Sequence, residues 1–494
     1  MKNYQSNYRS IIYCLLFYFA FTPVKSQNLN LDGQIYSVDT LANHLAGPGT
    51  QYTRLRLTGP SSLDVYFLKT DLKNKYVDLR MVLANDSIGV INTPSSIAKK
   101  KNKTGEGFYF AGVNGDFFDN YINTTFYIRG FGVVDRQIVQ YPIPQLYSKV
   151  SFAISEPNKE VNIGSFSYNA NFKSKEKTYS IDCVNRLDAI DKIVLFNNNM
   201  GTTTGTTYSG VGLTEVLVEL LPGQSWQMNN TIKAKTVSVK KNTGNMFFQH
   251  NQAVLSSYGA GAAILYSISI GDTIEITQNL TLNNTIKLDF SHVVSGDCFL
   301  LKDGEIGSFL PSDHPYPRTG VGYSQNKDTL IFCVVEGKNT EPYHGLKLKQ
   351  LAKLIEYAGA YNALNLDGGG SSTMYIEGYN GPVNVPADLS GERPVPNALY
   401  IVSTAPNDSM LNCIRPQVLS KKIQSCSVFI PSFYKYNKYG HLLNRVDGHI
   451  SLSCPSNLGV VFGENFIASG TGAGYITAKY NEDIETKIYV KIIP

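Results

Sequence analysis

The chain has 494 residues, 43% hydrophobic and 17% charged, with 24 Phe, 32 Tyr and 1 Trp. That much apolar and aromatic surface excludes disorder for most of the length, and 42 glycines without a three-residue period exclude a collagen-like chain. The formal charge is +5, from 44 Lys+Arg against 39 Asp+Glu, and its meaning depends on where those charges lie.

At the N-terminus, Lys2 and Arg9 precede the apolar run Ile11 to Phe21, and Val24 and Ser26 stand at positions −3 and −1 of a cleavage site. This pattern predicts a secretory signal peptide over residues 1–26; an 11-residue apolar run is too short for a hydrocarbon layer of about 30 Å. An exported protein follows, periplasmic, on the cell surface or secreted. No later run reaches membrane-spanning length. The signal holds Lys2, Arg9 and Lys25 and no acid, so the rest carries 41 bases against 39 acids, with no run of five like charges. Nucleic acid as a partner loses its support. Six cysteines remain (Cys183, Cys298, Cys333, Cys413, Cys426, Cys454), an even number that permits disulfides in an exported chain, and none has metal-ligand spacing.

Residues 27–405 read as one catalytic body. It opens with strand-like runs at 52–57, 63–68 and 76–83, then a run at 108–113 that ends in Asn114-Gly115-Asp116-Phe117-Phe118. Residues 150–290 are mostly strand. The run 330–335 ends in Glu336-Gly337, and 361–366 ends in Asp367-Gly368-Gly369-Gly370. Between them, Leu348, Leu351, Leu354 and Ile355 recur at helical spacing over 347–358, and Gly359 follows as a stop. Strand, helix, strand predicts a βαβ crossover whose two strands run parallel and end on one sheet edge, where ligands bind. An intervening strand would set Glu336 and Asp367 further apart than adjacent strands would. After a linker at 406–409, residues up to 494 alternate with period two, with Ile476, Ala478 and Tyr480, then Ile488, Val490 and Ile492, on inward faces. The expected class is α+β: a mixed β-sheet domain with few helices, followed by an all-β sandwich.

The chemistry concentrates at Asp367. Three glycines after a carboxylate suit close backbone approach to a ligand or presentation of N–H groups to an anion. No Gly-Lys-Ser/Thr follows, so this is not a Walker loop, and Gly370-Ser371-Ser372-Thr373 is not a G-x-S-x-G elbow. Arg318 and Arg393 sit beside prolines that fix their loops, as bidentate recognition of phosphate or carboxylate requires. His314 reads equally as a general acid, a phosphate ligand or a structural loop residue. The histidines form no H-x-H or H-E-x-x-H cluster, which disfavours a transition-metal hydrolase. No cofactor is predicted; carboxylate-bound Ca²⁺ or Mg²⁺ is compatible with the composition.

Taken in order, several segments resemble the phosphodiester glycosidase family over roughly residues 45–402. They are 111–118, Ser295-Gly296-Asp297, Pro317-Arg318-Thr319-Gly320, Glu336-Gly337, 364–373 and Arg393-Pro394-Val395-Pro396-Asn397. The C-terminal module is similar to bacterial immunoglobulin-like domains and would serve spacing or adhesion at a cell surface. The resemblance implies hydrolysis of the bond between a sugar's anomeric carbon and a phosphate oxygen, on a carbohydrate phosphodiester or phosphoglycan. It points to Asp367, then Glu336 and Asp116, as catalytic carboxylates. Substrate or phosphate binding falls to Asn114, Gly115, Asp297, Arg318, Thr319, Gly368, Gly369, Gly370, Ser371, Arg393 and Asn397. Two departures stand out: Tyr316-Pro317 intervenes in the family's His-Pro-Arg-Thr, and Lys338 replaces an arginine common after the glycine. The rival readings are a phosphodiesterase that cuts P–O and a non-catalytic surface glycan-binding protein.

Overall fold

The computed structural model describes residues 28–494 except 123–124, 141–149, 188, 207–211, 308–309, 311–313, 339, 341, 380 and 482. The expected signal peptide lies outside the described residues. Among them, no helix is long and apolar enough to cross a membrane.

The central sheet has nine strands in the order Asn28–Leu31, Gln34–Gly47, Thr50–Thr58, Ser62–Asp71, Thr329–Val335, Arg318–Tyr323, Asn362–Asn365, Cys298–Lys302 and Glu305–Ile306. Both of its faces are covered, which explains why its inner strands read as unbroken apolar runs. In Thr329–Val335, Ile331, Cys333 and Val335 pack toward the helix Leu348–Tyr357, with Leu351, Leu354 and Ile355 wholly buried. Phe332 and Val334 point the other way, into a core shared with a four-stranded sheet. That sheet runs Met374–Ile376, Phe108–Asn114, Asn397–Ser403, Val77–Leu83. The helix begins after Lys347, whose N–H is taken by Gln350 Oε1 (3.0 Å), and Gly359 (φ +101°) follows its end.

The strands before and after this helix are not neighbours. Arg318–Tyr323 lies between them and pairs antiparallel with both, so they point the same way at two strand spacings, roughly 10 Å. The run 108–113 belongs to the other sheet. Residues 166–282 contribute an eight-stranded sheet with its own core around Phe172, Leu195 and Ile276. All six described cysteines are free: no disulfide forms, Cys333 is buried and Cys426 exposed.

From Cys413 onward, sheets of three, four and three strands enclose a separate core that includes Ile476, Ala478, Ile488, Val490 and Ile492. This region sits firmly on the body. Asn43 N donates to Gln417 O (2.8 Å), Tyr436 Oη donates to Leu45 O (2.7 Å) and the Ser403 hydroxyl meets His441 Nε2 (2.8 Å). At the centre is buried His44, with Nδ1 2.9 Å from Leu45 O, Nε2 2.9 Å from Tyr379 Oη and its ring 4.8 Å from that of Tyr434. A neutral ring fits: Nδ1–H donates to the carbonyl and Nε2 accepts from the tyrosine.

Burial lowers the His44 imidazole to about 4, partly offset by the Leu45 carbonyl. A base with its folded pKa below the ordinary 6.5 contributes its full stability above pH 6.5 and loses it as pH falls toward 4. Thermal unfolding of full-length protein should therefore show a loss between pH 6.5 and 4 that is smaller in His44→Gln, by up to about 3 kcal/mol. Equal pH slopes in the two proteins would refute the assignment.

Candidate active site

The pairing of Asn362–Asn365 with Arg318–Tyr323 (Asn365 opposite Gly320) continues as Leu366 N donates to Thr319 O (2.9 Å), which brings Asp367 beside Arg318. From the opposite sheet, the end of Phe108–Asn114 meets the same point, and Asp367 N donates to Gly115 O (3.2 Å). Wholly buried Asn114 locks the junction. Its Nδ2 donates to Asp367 O (2.7 Å), and its Oδ1 accepts from Thr319 Oγ1 (2.8 Å) and Thr373 N (3.1 Å). The side chains of Asn114 and Thr319, both expected to bind substrate, are thus spent on holding the turn.

Two carboxyls meet here in different environments. Asp367 remains partly exposed, and burial of its carboxyl pushes it up to about 6, while the Ser371 hydroxyl, the Gly368 N–H and the charges of Arg393 and Arg129 pull it back. Asp116 is enclosed: Oδ1 accepts from Ser295 N (2.9 Å) and Oδ2 from Asn397 Nδ2 (2.6 Å), while Asn397 Oδ1 takes Asp116 N (2.9 Å). Burial raises Asp116 to about 8 against those donors, with the Asp367 charge pushing the same way. Burial thus favours the protonated form of Asp116, which is closed off from any substrate, and Asn397 holds it.

Three arginines surround Asp367. Arg318 is nearly buried, donating Nε to Leu346 O (3.0 Å) and Nη2 to His314 O (3.2 Å); burial lowers it to about 10, and Asp297 and Cys298 oppose this. Arg393 forms a fork with Asp388 (2.6 and 2.8 Å), and Arg129 forms another with Asp119 (2.6 and 2.8 Å). Both forks keep a third or more of the arginine side chain exposed (35% and 39%), so they can still meet an anion. A Cβ at Gly370 would run into Arg393 Nη2 and Asp388 Oδ1, so this glycine admits the first fork to the site. The expected three-amide anion nest is corrected: Gly368 N bonds Asp367 Oδ1 (2.9 Å) and Gly369 N bonds Pro317 O (2.9 Å).

Asp297 lies on the neighbouring strand side, exposed, with its Oδ1 accepting from Asn365 Nδ2 (2.8 Å). Ser371 is buried beneath the turn. Glu336 is apart from this group. It follows Val335, opposite Arg318, and its Oε1 accepts from Tyr66 Oη and from Val385 N (2.6 Å). The His314 ring stacks on Tyr343 (4.7 Å), so it is its backbone carbonyl that serves Arg318. Sequence reasoning missed Arg129, Asp119 and Asp388. Among the described residues, no three His, Cys, Asp or Glu side chains converge as a metal-binding group.

Residues 227–402 match the phosphodiester glycosidase family model. The matched stretch is less than half of the chain; it carries Asp297, Arg318, Glu336, Asp367 and Arg393 but not Asp116 or Arg129. None of the curated proteins matches the chain. A Burkholderia pseudomallei protein whose name carries a provisional export assignment has a similar fold, with TM-score 0.56 and 16% identity over 76% of this chain and 98% of that one. A hypothetical protein from Synechocystis gives TM-score 0.53 and 15% identity over 72% of this chain, which spans 62% of that protein's length. The catalytic domain of zebrafish N-acetylglucosamine-1-phosphodiester alpha-N-acetylglucosaminidase, auto-inhibited by its pro-peptide, gives 14% identity and TM-score 0.32 over 74% of this chain and 87% of that one.

An acid with its folded pKa above the ordinary 3.8 contributes its full stability below pH 3.8 and loses it as pH rises to about 8. Asp116→Asn places an amide where one oxygen accepts, at a cost of about 1–3 kcal/mol. In denaturant unfolding, the stability gap between wild type and this variant should narrow from pH 4 to pH 8. A constant gap would contradict a protonated Asp116.

Proposed function

We propose that this chain is an exported phosphodiester glycosidase that hydrolyses the bond between a sugar's anomeric carbon and a phosphate oxygen, releasing sugar and a phosphomonoester. The observation that carries this reading is Asp367, partly exposed at the sheet edge, with Arg318 on the facing strand and the charges of Arg393 and Arg129 acting on its carboxyl. Phosphate is already a good leaving group, so the main demand is stabilisation of its developing charge by preset cations. Arg393 and Arg129 present forks whose geometry suits phosphate oxygens. The Asp367 carboxylate supports the oxocarbenium-like state or activates water. Asp297, exposed about one strand spacing away, is better placed than Glu336 to be its partner. The C-terminal region is read as an immunoglobulin-like sandwich that holds the body at a cell surface.

Turnover of α- and β-sugar-1-phosphodiesters by full-length protein, run in ¹⁸O-water, tests the reading. Label should enter the sugar; label in the phosphate would establish P–O cleavage, and no turnover on the whole panel would favour a glycan-binding protein. Asp367→Asn should lower kcat by about 10²–10⁴-fold, and Glu336→Gln should leave it within a few-fold. Because Asp367 acts as the anion, kcat/KM should rise as pH passes through about 6 and level off above.

A further inference from the structure

A second polar hollow of about 230 Å³ opens on the same sheet edge, lined by Arg56, Ser62, Asp64, Glu336, Lys338 and His344. Strand pairing sets it in line with the first site. Arg56 stands opposite Asp64, Glu336 N donates to Asp64 O (3.1 Å), Val335 stands opposite Arg318, and Gly369 N donates to Pro317 O (2.9 Å). From Asp367 to the hollow is two to four strand spacings, roughly 10–19 Å.

The two places share a wall. Residues 381–391 are bound at one end to the hollow, through Val385 N to Glu336 Oε1 (2.6 Å), and at the other to the Asp367 site, through the Asp388–Arg393 fork. Immediately before Val385, Asn384 takes Met374 N (2.7 Å) and donates to Ser372 O (3.0 Å). The rim of this wall carries exposed apolar side chains, Val385 (66%) and Leu389 (108%). On the other side of the hollow, Lys338 and His344 form an antiparallel bridge (2.8 and 3.2 Å). A Cβ at Gly337 would strike His344 O, so the glycine makes that bridge possible and fixes the approach of Lys338. Arg56 forms a fork with Asp64 (2.8 and 3.0 Å), so its charge is shared with that acid, and Glu336 adds a second acid to the lining. Asp64 is held by both Arg54 and Arg56, whose side chain remains 46% exposed, and Lys338 is exposed with no acid paired to it among the described residues.

We propose that this hollow is a second phosphate subsite, which takes a further phosphoryl group of a repeating sugar–phosphate chain whose neighbouring linkage lies at Asp367. The inference rests on the phosphodiester reading of the Asp367 site and extends it from a single linkage to a polymer. Arg56 and Lys338 supply the charge, and the apolar rim of 381–391 covers the sugar between the two phosphates.

Titration calorimetry of full-length protein with inorganic phosphate tests it without turnover. Arg56→Gln/Lys338→Gln should remove one phosphate from the binding stoichiometry, or weaken that event at least tenfold. Asp64 keeps Arg54, so the variant retains its fold, checked by an unchanged melting temperature. The same variant should raise KM at least tenfold on a sugar-phosphate oligomer while leaving kcat/KM on a single-linkage phosphodiester unchanged. Unaltered phosphate binding, or equal losses on oligomer and single-linkage substrate, would overturn the subsite. Loss of one phosphate site with no turnover of any phosphodiester would instead keep the subsite and sink the hydrolase reading.

Discussion

The site depends on one buried amide. Asn114, at the end of a strand in one sheet, holds the Asp367 carbonyl, the Thr319 hydroxyl and the Thr373 N–H of the turn that leaves the other. The Thr319 hydroxyl and the Thr373 N–H are shut away from water, and an orphaned one would cost about 1–3 kcal/mol. No charged side chain could serve both as donor to a carbonyl and acceptor from two donors, so an amide is the residue that fits. With the two sheets joined there, Asp116 is enclosed behind the junction and Asp367 is left facing out.

That division sets the electrostatics. Asp116 is bonded by a backbone N–H and the Asn397 amide, and burial together with the Asp367 charge pushes it toward the neutral form. Asp367 is pushed up by burial but kept ionisable by Arg393 and Arg129. Each of those arginines is restrained by an aspartate, which fixes its orientation and limits the net positive charge. In the reaction proposed above, an incoming phosphate meets guanidinium forks that their aspartates already orient.

The C-terminal region extends this rigidity. Its Tyr434 and Tyr436 close around His44, which lies next to Tyr52, and the Tyr66 hydroxyl from the next strand bonds Glu336. The region is therefore joined, across a seam of aromatic rings and hydrogen bonds, to the strands that lead to the second hollow.

Much of this was legible in the chain itself. Runs such as 330–335 announce strands covered on both faces, and Leu348, Leu351, Leu354 and Ile355 announce a helix that Gly359 ends, because these are local periodicities. Asp367 with its glycines, and Arg318 and Arg393 beside proline, stand out because Gly and Pro constrain the backbone locally. What the chain could not disclose was non-local. The insertion of Arg318–Tyr323 between two strands that run the same way separates Glu336 from Asp367, and nothing near either residue encodes that order. Nor does local sequence reveal that two glycine amides are spent inside the turn, or that Arg129 arrives with Asp119 from a hairpin far along the chain. Sequence by itself determined the local strands, helix and turns and singled out Asp367, Arg318 and Arg393; tertiary structure decided which residues meet, because strand order and burial depend on contacts between residues hundreds of positions apart.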